Sequence, residues 1–352
     1  MNEKIKKTID EIKSGKFTKV QDWKALFLYS GPEENRYLTE QAVAVRKEYF
    51  GNKVFLRGLI EFTNYCKNNC YYCGIRRDHK EIQRYRLTPD QILQCCEKGY
   101  ELGLRTFVLQ GGEDPYWNDD RLVPVVASIH EKFPDCAITL SVGERSRESY
   151  QNLFDAGADR YLLRHEAADL DLYENLHPEE MTLSDRTDCL FDLKSIGFQT
   201  GCGFMVGAPG QTIPHIVEDL KFIGQFCPHM VGIGPFLPSS GTPFEDQPGG
   251  SPKLTLKLLS VSRLLRPDIL LPATTALSSA TEDGRLLGIK AGANVIMPNI
   301  TPASVRSLYC LYDRKPSSGI ECAEGIEELK EQLAGIGYEA VAERGDHPFF
   351  ME

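Results

Sequence analysis

No apolar run in the 352 residues approaches the roughly 18 that a membrane span needs. The opening segment, MNEKIKKTIDEIKSGKF, is charged from its start and lacks the apolar stretch of a secretory signal. A cytoplasmic protein is therefore expected. No basic cluster is longer than Arg76-Arg77, and 40 basic against 50 acidic residues give a net charge of −10. That balance repels a phosphate backbone, so neither nucleic acid nor a membrane is an expected partner. Low-complexity blocks are missing too, since the 30 Gly and 20 Pro are spread along the chain. The hydrophobic fraction of 41% and charged fraction of 26% are those of an ordinary globular protein.

Eleven cysteines, an odd number without a signal, argue against a disulfide framework. Most lie singly in apolar segments, where a thiol is a small buried hydrophobe. The pair Cys95-Cys96, in a helical pattern, reads the same way. Cys66, Cys70 and Cys73 differ, because they fall within eight residues, in NYCKNNCYYCG.

Residues 1–50 read as helical, with amphipathic spacing of Ile5, Ile9 and Ile12 and again of Trp23, Leu26 and Phe27. Eight strand-like runs follow, at 54–62, 106–111, 137–142, 160–165, 199–207, 230–236, 269–275 and 293–299. Between them lie helical patterns. One runs over 88–103 with Thr88 as N-cap and Pro89 at its first position. Another covers 183–197, with Ser184 as N-cap and Gly197 at the stop; the stretches 212–226 and 251–265 follow the same rule. Strands alternating with single helices imply parallel βαβ units, and several runs are apolar throughout, as in a sheet buried on both faces. Eight units over some 245 residues match a TIM-type (βα)8 barrel better than an open doubly wound sheet. The expected α/β organisation is an N-terminal helical extension (1–50), the barrel (51–307) and a short C-terminal tail (308–352). That tail is one helix, from Gly325 to about Ala334, then an irregular end.

A barrel of this kind keeps its chemistry at the C-terminal ends of its strands. There lie Thr63, Asn64 and the cysteines, then GGEDP (111–115), Ser141 and Glu144, and Arg164, His165 and Glu166. Later come Met205, Pro235, Thr274-Thr275 and Met297-Pro298-Asn299. Three thiols at CxxxCxxC lack a fourth ligand for a structural zinc site, His79 being the only close candidate. They suit a 4Fe–4S cluster that keeps one iron open for chemistry, with Tyr71 and Tyr72 as aromatic cover.

CxxxCxxC directly after the first barrel strand is the signature of radical S-adenosylmethionine enzymes. The segments RGLIEFTNYCKNNCYYCGIRRDHKEIQRYRLTPDQI, VLQGGEDPYW, ADRYLLRHE, MVGIGPF, LLPATTAL and GANVIMPNITP resemble the HydE family of FeFe-hydrogenase maturases over roughly residues 35–312. Biotin synthase and methylornithine synthase are neighbours in that superfamily. The resemblance implies one 4Fe–4S cluster on Cys66, Cys70 and Cys73, and S-adenosylmethionine chelating its open iron. Around that cofactor it implies Tyr72 at the adenine; Gly111, Gly112 and Glu113 at the methionyl amine; Glu166 and Arg186 at amine and carboxylate; and Ser141 on the rim. An external one-electron donor would drive reductive cleavage to a 5′-deoxyadenosyl radical. The substrate region maps onto Thr139, Arg160, Arg164, Met230, Thr274, Thr275, Met297, Tyr309 and Tyr312. The implied substrate is small and anionic, such as an organometallic iron unit delivered by a sister maturase, and the implied product is the dithiomethylamine bridge of the hydrogenase cluster.

Plainer readings stand beside these. Arg160 and Arg164 could pair with Glu61 or Glu166 inside the barrel, and Thr274-Thr275 could be ordinary strand residues. Met230 and Met297 could be core fillers, Glu166 a surface carboxylate, His165 a packed rim residue, and GGED a turn. The chain also departs from the family near its end. Many relatives carry three more cysteines there for an accessory cluster, whereas here only Cys322 fits, Gly325 stands where a second cysteine would fall, and Cys310 is offset. No second cluster is expected. A methylornithine synthase-like enzyme is the alternative function, and a zinc or electron-transfer protein the alternative class.

Overall fold

The computed structural model describes residues 1–350. Three helices, Glu3–Lys13, Val20–Tyr29 and Pro32–Phe50, precede the first strand. Ile5, Ile9 and Ile12 share one buried stripe and Trp23, Leu26 and Phe27 another, as helical spacing requires. Through these stripes the extension packs on the barrel helices Ile213–Phe226 and Pro252–Leu265.

Nine strands follow: β1 (Lys53–Leu56), β2 (Gly58–Thr63), β3 (Thr106–Gly111), β4 (Ala137–Ser141), β5 (Arg160–Leu162), β6 (Gln199–Val206), β7 (Met230–Pro235), β8 (Val295–Ile296) and β9 (Glu339–Val341). β2 to β7 pair in sequence order, all parallel. Single parallel bridges carry the circle onward, from Met230 to Leu270, from Pro272 to Val295 and from Asn299 back to Leu59. The helices lie outside, giving the α/β barrel expected from the sequence.

The differences are local and have causes. The expected strand 54–62 is broken at Arg57, whose two halves pair with different neighbours. The run 269–275 makes only bridges, because Pro272 has no N–H to give a ladder and Thr275 already starts a short helix, Thr275–Ala280. The run 293–299 shrinks to two residues before Pro298. Thr88 caps the helix Pro89–Glu101 as expected. The helix Leu183–Ile196 is capped instead by Thr182, whose hydroxyl accepts from the Asp185 N–H at 3.1 Å, and it stops at Gly197, with φ of 119°.

The tail holds the larger surprise. Its helix, Ile326–Gly335, is close to the expected one, but the supposedly irregular end is ordered. β9 runs parallel to β1, and the chain then crosses the mouth formed by the N-terminal ends of the strands. There Arg160, the first residue of β5, is fully buried and donates to Asp346 at 2.5 Å, to the Arg344 carbonyl at 2.7 Å and to the Thr106 hydroxyl at 3.0 Å. Gln199 binds Asp346 at 2.7 Å, and Arg344 reaches Asp159 at 2.5 Å and Asp346 at 2.8 Å.

Burial alone would raise the Asp346 carboxyl, but the guanidiniums of Arg160 and Arg344 outweigh it and hold the group below its ordinary value. A carboxyl depressed on folding stabilises the fold above its unfolded value and loses that contribution as pH falls through its folded value. Asp346→Ala should therefore destabilise the chain by about 3 kcal/mol at neutral pH, the cost of orphaning a buried guanidinium. Asp346→Asn should flatten the loss of stability below about pH 4. Urea unfolding at pH 7 and pH 3 measures both; equal stability of Asp346→Ala and wild type at pH 7 would remove Asp346 from the floor's support.

Candidate active site

At the opposite mouth, the C-terminal strand ends surround a cavity of about 290 Å³, near the lower end of the range for ligand pockets. β2 ends at Thr63, and the chain then runs without helix or strand until Pro89. Cys66, Cys70 and Cys73 line the cavity from this loop as half-buried free thiols. Burial pushes all three thiols up, Cys73 to about 12 with Cys66 adding to the shift. Protonated thiols of this kind become ligands only when a cation replaces the proton.

β3 brings Gly111 and Gly112 against that loop. A Cβ at Gly112 would run into the Tyr65 carbonyl and Cys66, and one at Gly111 into Thr63, so only glycine lets the strand end lie so close. Glu113 follows. Its carbonyl accepts from the Lys67 N–H at 2.8 Å, and its carboxylate lies 3.3 Å from the Lys67 ammonium. Gly143, beyond β4, has φ of 78° and leaves the space that the Glu113 side chain fills.

Beyond β5 the chain turns sharply. Glu166 adopts φ of 64°, a left-handed conformation that costs a non-glycine residue about 1 kcal/mol or more. It is held there by its N–H bond to the Gly203 carbonyl at 3.0 Å. Its carboxylate approaches Arg164 at 3.1 Å, yet not in hydrogen-bonding geometry. Glu166 Oε2, Arg164 Nε and Nη2 and Glu113 Oε2 are all buried without a hydrogen-bond partner among the described residues. Arg186, from the helix Leu183–Ile196, donates to Glu144 at 2.5 Å and to the Arg164 carbonyl at 2.8 Å. Burial opposes its charge, but the Glu144 carboxylate outweighs that and raises it. Tyr72 lies 3.3 Å from His177 Nε2, and burial lowers His177 to about 3, so that ring is neutral.

The structure thus brings together Cys66, Cys70, Cys73, Tyr72, Gly111, Gly112, Glu113, Ser141, Glu166 and Arg186 around one cavity, with Arg164, Thr274, Tyr309 and Tyr312 on its remaining wall. Five other sequence-derived candidates do not line it. Arg160 opens β5, two residues before the cavity-lining Leu162, but it lies at the floor, held by Asp346. Thr139 is buried one step below Ser141, with an unpartnered hydroxyl. Met230 accepts from Arg57 at 3.2 Å and packs with Phe55 and Leu270, Met297 joining that group. Thr275 opens its short helix. His79 bonds the Gly74 carbonyl at 2.7 Å, and His165 lies buried beside Asp219 at 3.3 Å, a packed residue.

Glu144 and Gly143 were missed as partners in this site. Glu144 sits at a strand end, where the sequence did point, but nothing local shows that Arg186 will meet it. Among the described residues no three His, Cys, Asp or Glu side chains converge on a single ion. Three thiols spaced around one cavity fit a multi-iron cluster instead, and the ion-paired Glu113, Glu166 and Arg164 above them, with atoms that make no hydrogen bond among the described residues, fit a ligand bearing both an amine and a carboxylate.

This parallel barrel, with three thiols on the loop after its first inner strand, is a radical-chemistry scaffold, and residues 60–223 match the Radical SAM superfamily. The chain is 46% identical to the FeFe hydrogenase maturase subunit HydE of Thermotoga maritima, over 86% of this chain and 87% of that one. It belongs to the HydE family of radical SAM enzymes. It is also 31% identical to 3-methylornithine synthase of Methanosarcina acetivorans, over 90% of this chain and 89% of that protein. Crystalline methylornithine synthase (PylB) superposes with a TM-score of 0.83 at 29% identity, covering 95% of this chain and 97% of that one. The family implies a 4Fe–4S cluster and S-adenosylmethionine. No helix among the described residues is long and apolar enough to cross a membrane.

Glycine at 166 would relax the backbone while removing the carboxylate. Glu166→Gly should hold or raise stability, by up to about 1 kcal/mol, and should weaken S-adenosylmethionine binding by at least tenfold. Gly143→Ala should also weaken it, by displacing Glu113. Melting curves and binding isotherms check both; unchanged isotherms would show that neither carboxylate meets the ligand.

Proposed function

We propose that this chain is a HydE-type enzyme of FeFe-hydrogenase maturation, acting toward the dithiomethylamine bridge. The observation that carries the reading is the convergence of the three thiols, the GGE strand end, Glu166 and Arg186 on one cavity, in a chain 46% identical to a maturase over most of its length. Cys66, Cys70 and Cys73 would hold a single 4Fe–4S cluster. With S-adenosylmethionine bound, it supplies one-electron reductive cleavage to a 5′-deoxyadenosyl radical. The residues of this chain then do what the cofactor cannot. The Arg186 guanidinium, oriented by Glu144, would take the carboxylate, and Glu166 the amine. Tyr72, steadied by His177, would cover the adenine, with Ser141 on the rim.

Arg164 would meet a small anionic substrate, with Thr274, Tyr309 and Tyr312 opposite. Its guanidinium has two buried nitrogens without hydrogen bonds among the described residues, and an anion relieves that cost. Thr139, Arg160, Met230, Thr275 and Met297 would act from below or behind, shaping the cavity. An organometallic iron unit from a sister maturase fits this chemistry, with an external one-electron donor. The TM-score of 0.83 to methylornithine synthase supports a second reading, an amino-acid-isomerising enzyme of that kind.

After anaerobic reconstitution the wild type should hold about four irons per chain, and Cys66→Ala, Cys70→Ala or Cys73→Ala should lose both the chromophore and 5′-deoxyadenosine formation. A triple alanine variant that keeps four irons would overturn the assignment, and about eight in the wild type would refute a single cluster. Arg164→Leu should stop substrate turnover yet keep slow uncoupled cleavage. Activation of an immature FeFe hydrogenase in a mixture with the other maturases supports the maturase, and formation of 3-methylornithine instead would establish the second reading.

A further inference from the structure

Residues 64–84 run for twenty-one positions without helix or strand, and so long an irregular stretch within a compact domain is uncommon unless it has a function. Such a loop has no ladder, so its backbone groups need partners from elsewhere. Arg84 supplies four of them. Its Nη1 donates to the Asn64 carbonyl and, at 2.8 Å, to that of Ile75. Its Nη2 donates to Arg76 at 2.6 Å and to His79 at 3.1 Å. One planar group therefore joins a carbonyl two residues before Cys66 to three carbonyls after Cys73.

Asn64 closes on the residues flanking Arg84 in turn. Its side chain donates to the Gln83 carbonyl at 2.8 Å and accepts from the Tyr85 N–H at 2.7 Å. It also donates to the Leu308 carbonyl at 2.8 Å, and it is fully buried. The loop is thus drawn shut at its neck, with all three cysteines between the two ends. The same guanidinium places a positive charge inside the loop that carries the three cysteines.

We infer that Arg84 is the positioning residue of the cysteine loop, holding Cys66 and Cys73 at the separation a cluster needs and favouring the cluster's reduced form. This rests on the reading of the three cysteines as cluster ligands. The donor geometry is specific to arginine, since a lysine ammonium has three donors and no fork with which to serve four carbonyls. The charge effect follows from electron counting. Reduction adds a negative charge, and cluster potentials follow net charge and hydrogen bonding, so a nearby cation makes reduction easier.

The test uses the full chain as wild type, Arg84→Gln and Arg84→Lys. The readouts are iron content, the midpoint from a spectroscopically monitored redox titration, melting temperature, and amide exchange over 64–84 in the iron-free protein. Arg84→Gln should lower the reduced fraction at fixed poise about tenfold, a shift of about 59 mV for one electron, while Arg84→Lys should stay nearer the wild-type midpoint. Both should lose protection over 64–84 by tenfold or more. A wild-type midpoint in Arg84→Gln, or wild-type protection in both variants, overturns the inference. Iron lost by both variants at an unchanged melting temperature supports positioning; iron and melting temperature lost together make Arg84 a folding residue and overturn it. A wild type that takes up no cluster refutes the cysteine reading instead, and exchange in the iron-free chain still judges the Asn64–Arg84 clasp.

Discussion

An unpaired carbonyl in a dry interior costs about as much as a hydrogen bond lost, and this barrel has a seam where the ladder cannot supply partners. Between β7 and β2 the circle is closed only by isolated bridges and the two-residue pairing of β8 with β1. Two fully buried arginines do the work there. Arg263 donates to the carbonyls of Gly292, Pro267 and Ile269 and to the Asn294 side chain, at 2.7–3.1 Å. Arg46, from the N-terminal extension, donates to Ala293, Gly51 and Lys53 at 2.5–3.0 Å. Burial pushes Arg46 down to about 10 and Arg263 to about 9, still well above neutrality, so both remain cations at pH 7. The same device recurs with Arg306 on the Thr301 and Ser317 carbonyls, with Arg160 at the floor, and with Arg84 at the cysteine loop. The N-terminal helices are therefore part of the barrel's closure.

What could be read in advance follows from which interactions are local. The cysteines and the GGE stretch were legible because ligand spacing and glycine content are properties of a few adjacent residues. The strands β3, β4 and β6 were legible because a stave buried on both faces is mostly apolar. Arg160 and Arg164 both belong to the expected strand 160–165, but a shared strand does not fix depth. Four residues of extended chain span roughly 13 Å, enough to separate a floor from a cavity. That Arg160 belongs to the floor depends on Asp346, 186 residues away, and β9 is three residues long and becomes a strand only because β1 offers an edge. Pro272 and Pro298 mark the seam in the sequence, yet a proline says only that a ladder bond is absent. It does not say which side chain replaces it.

The orphaned atoms form a pattern. Among the described residues, Glu113 Oε2, Glu166 Oε2 and Arg164 Nε and Nη2 are buried without hydrogen bonds at one cavity, and Glu166 carries the strained non-glycine backbone in its wall. Unsatisfied polar groups and left-handed backbone each cost about 1–3 kcal/mol. A fold that retains several such costs at one place is preorganised for a charged ligand. Arg46 and Arg263, by contrast, are supplied with backbone acceptors.

The two halves of the cavity differ in construction, and the difference bears on function. Glu113, Ser141, Glu166 and the cysteine loop extend from β2 to β5, within the continuous ladder. Thr274, Tyr309 and Tyr312 belong to the seam and the chain beyond it, outside the continuous ladder of β2 to β7. A ladder fixes position through many small cooperative bonds, and it tolerates little change without loss of register. Loops at a seam are free to vary in length and sequence at lower cost. On the assignment proposed above, a barrel built this way would keep its cofactor side constant while the opposite wall is remodelled. Relatives named for hydrogenase maturation and for 3-methylornithine synthesis are what such a division of one scaffold would be expected to yield.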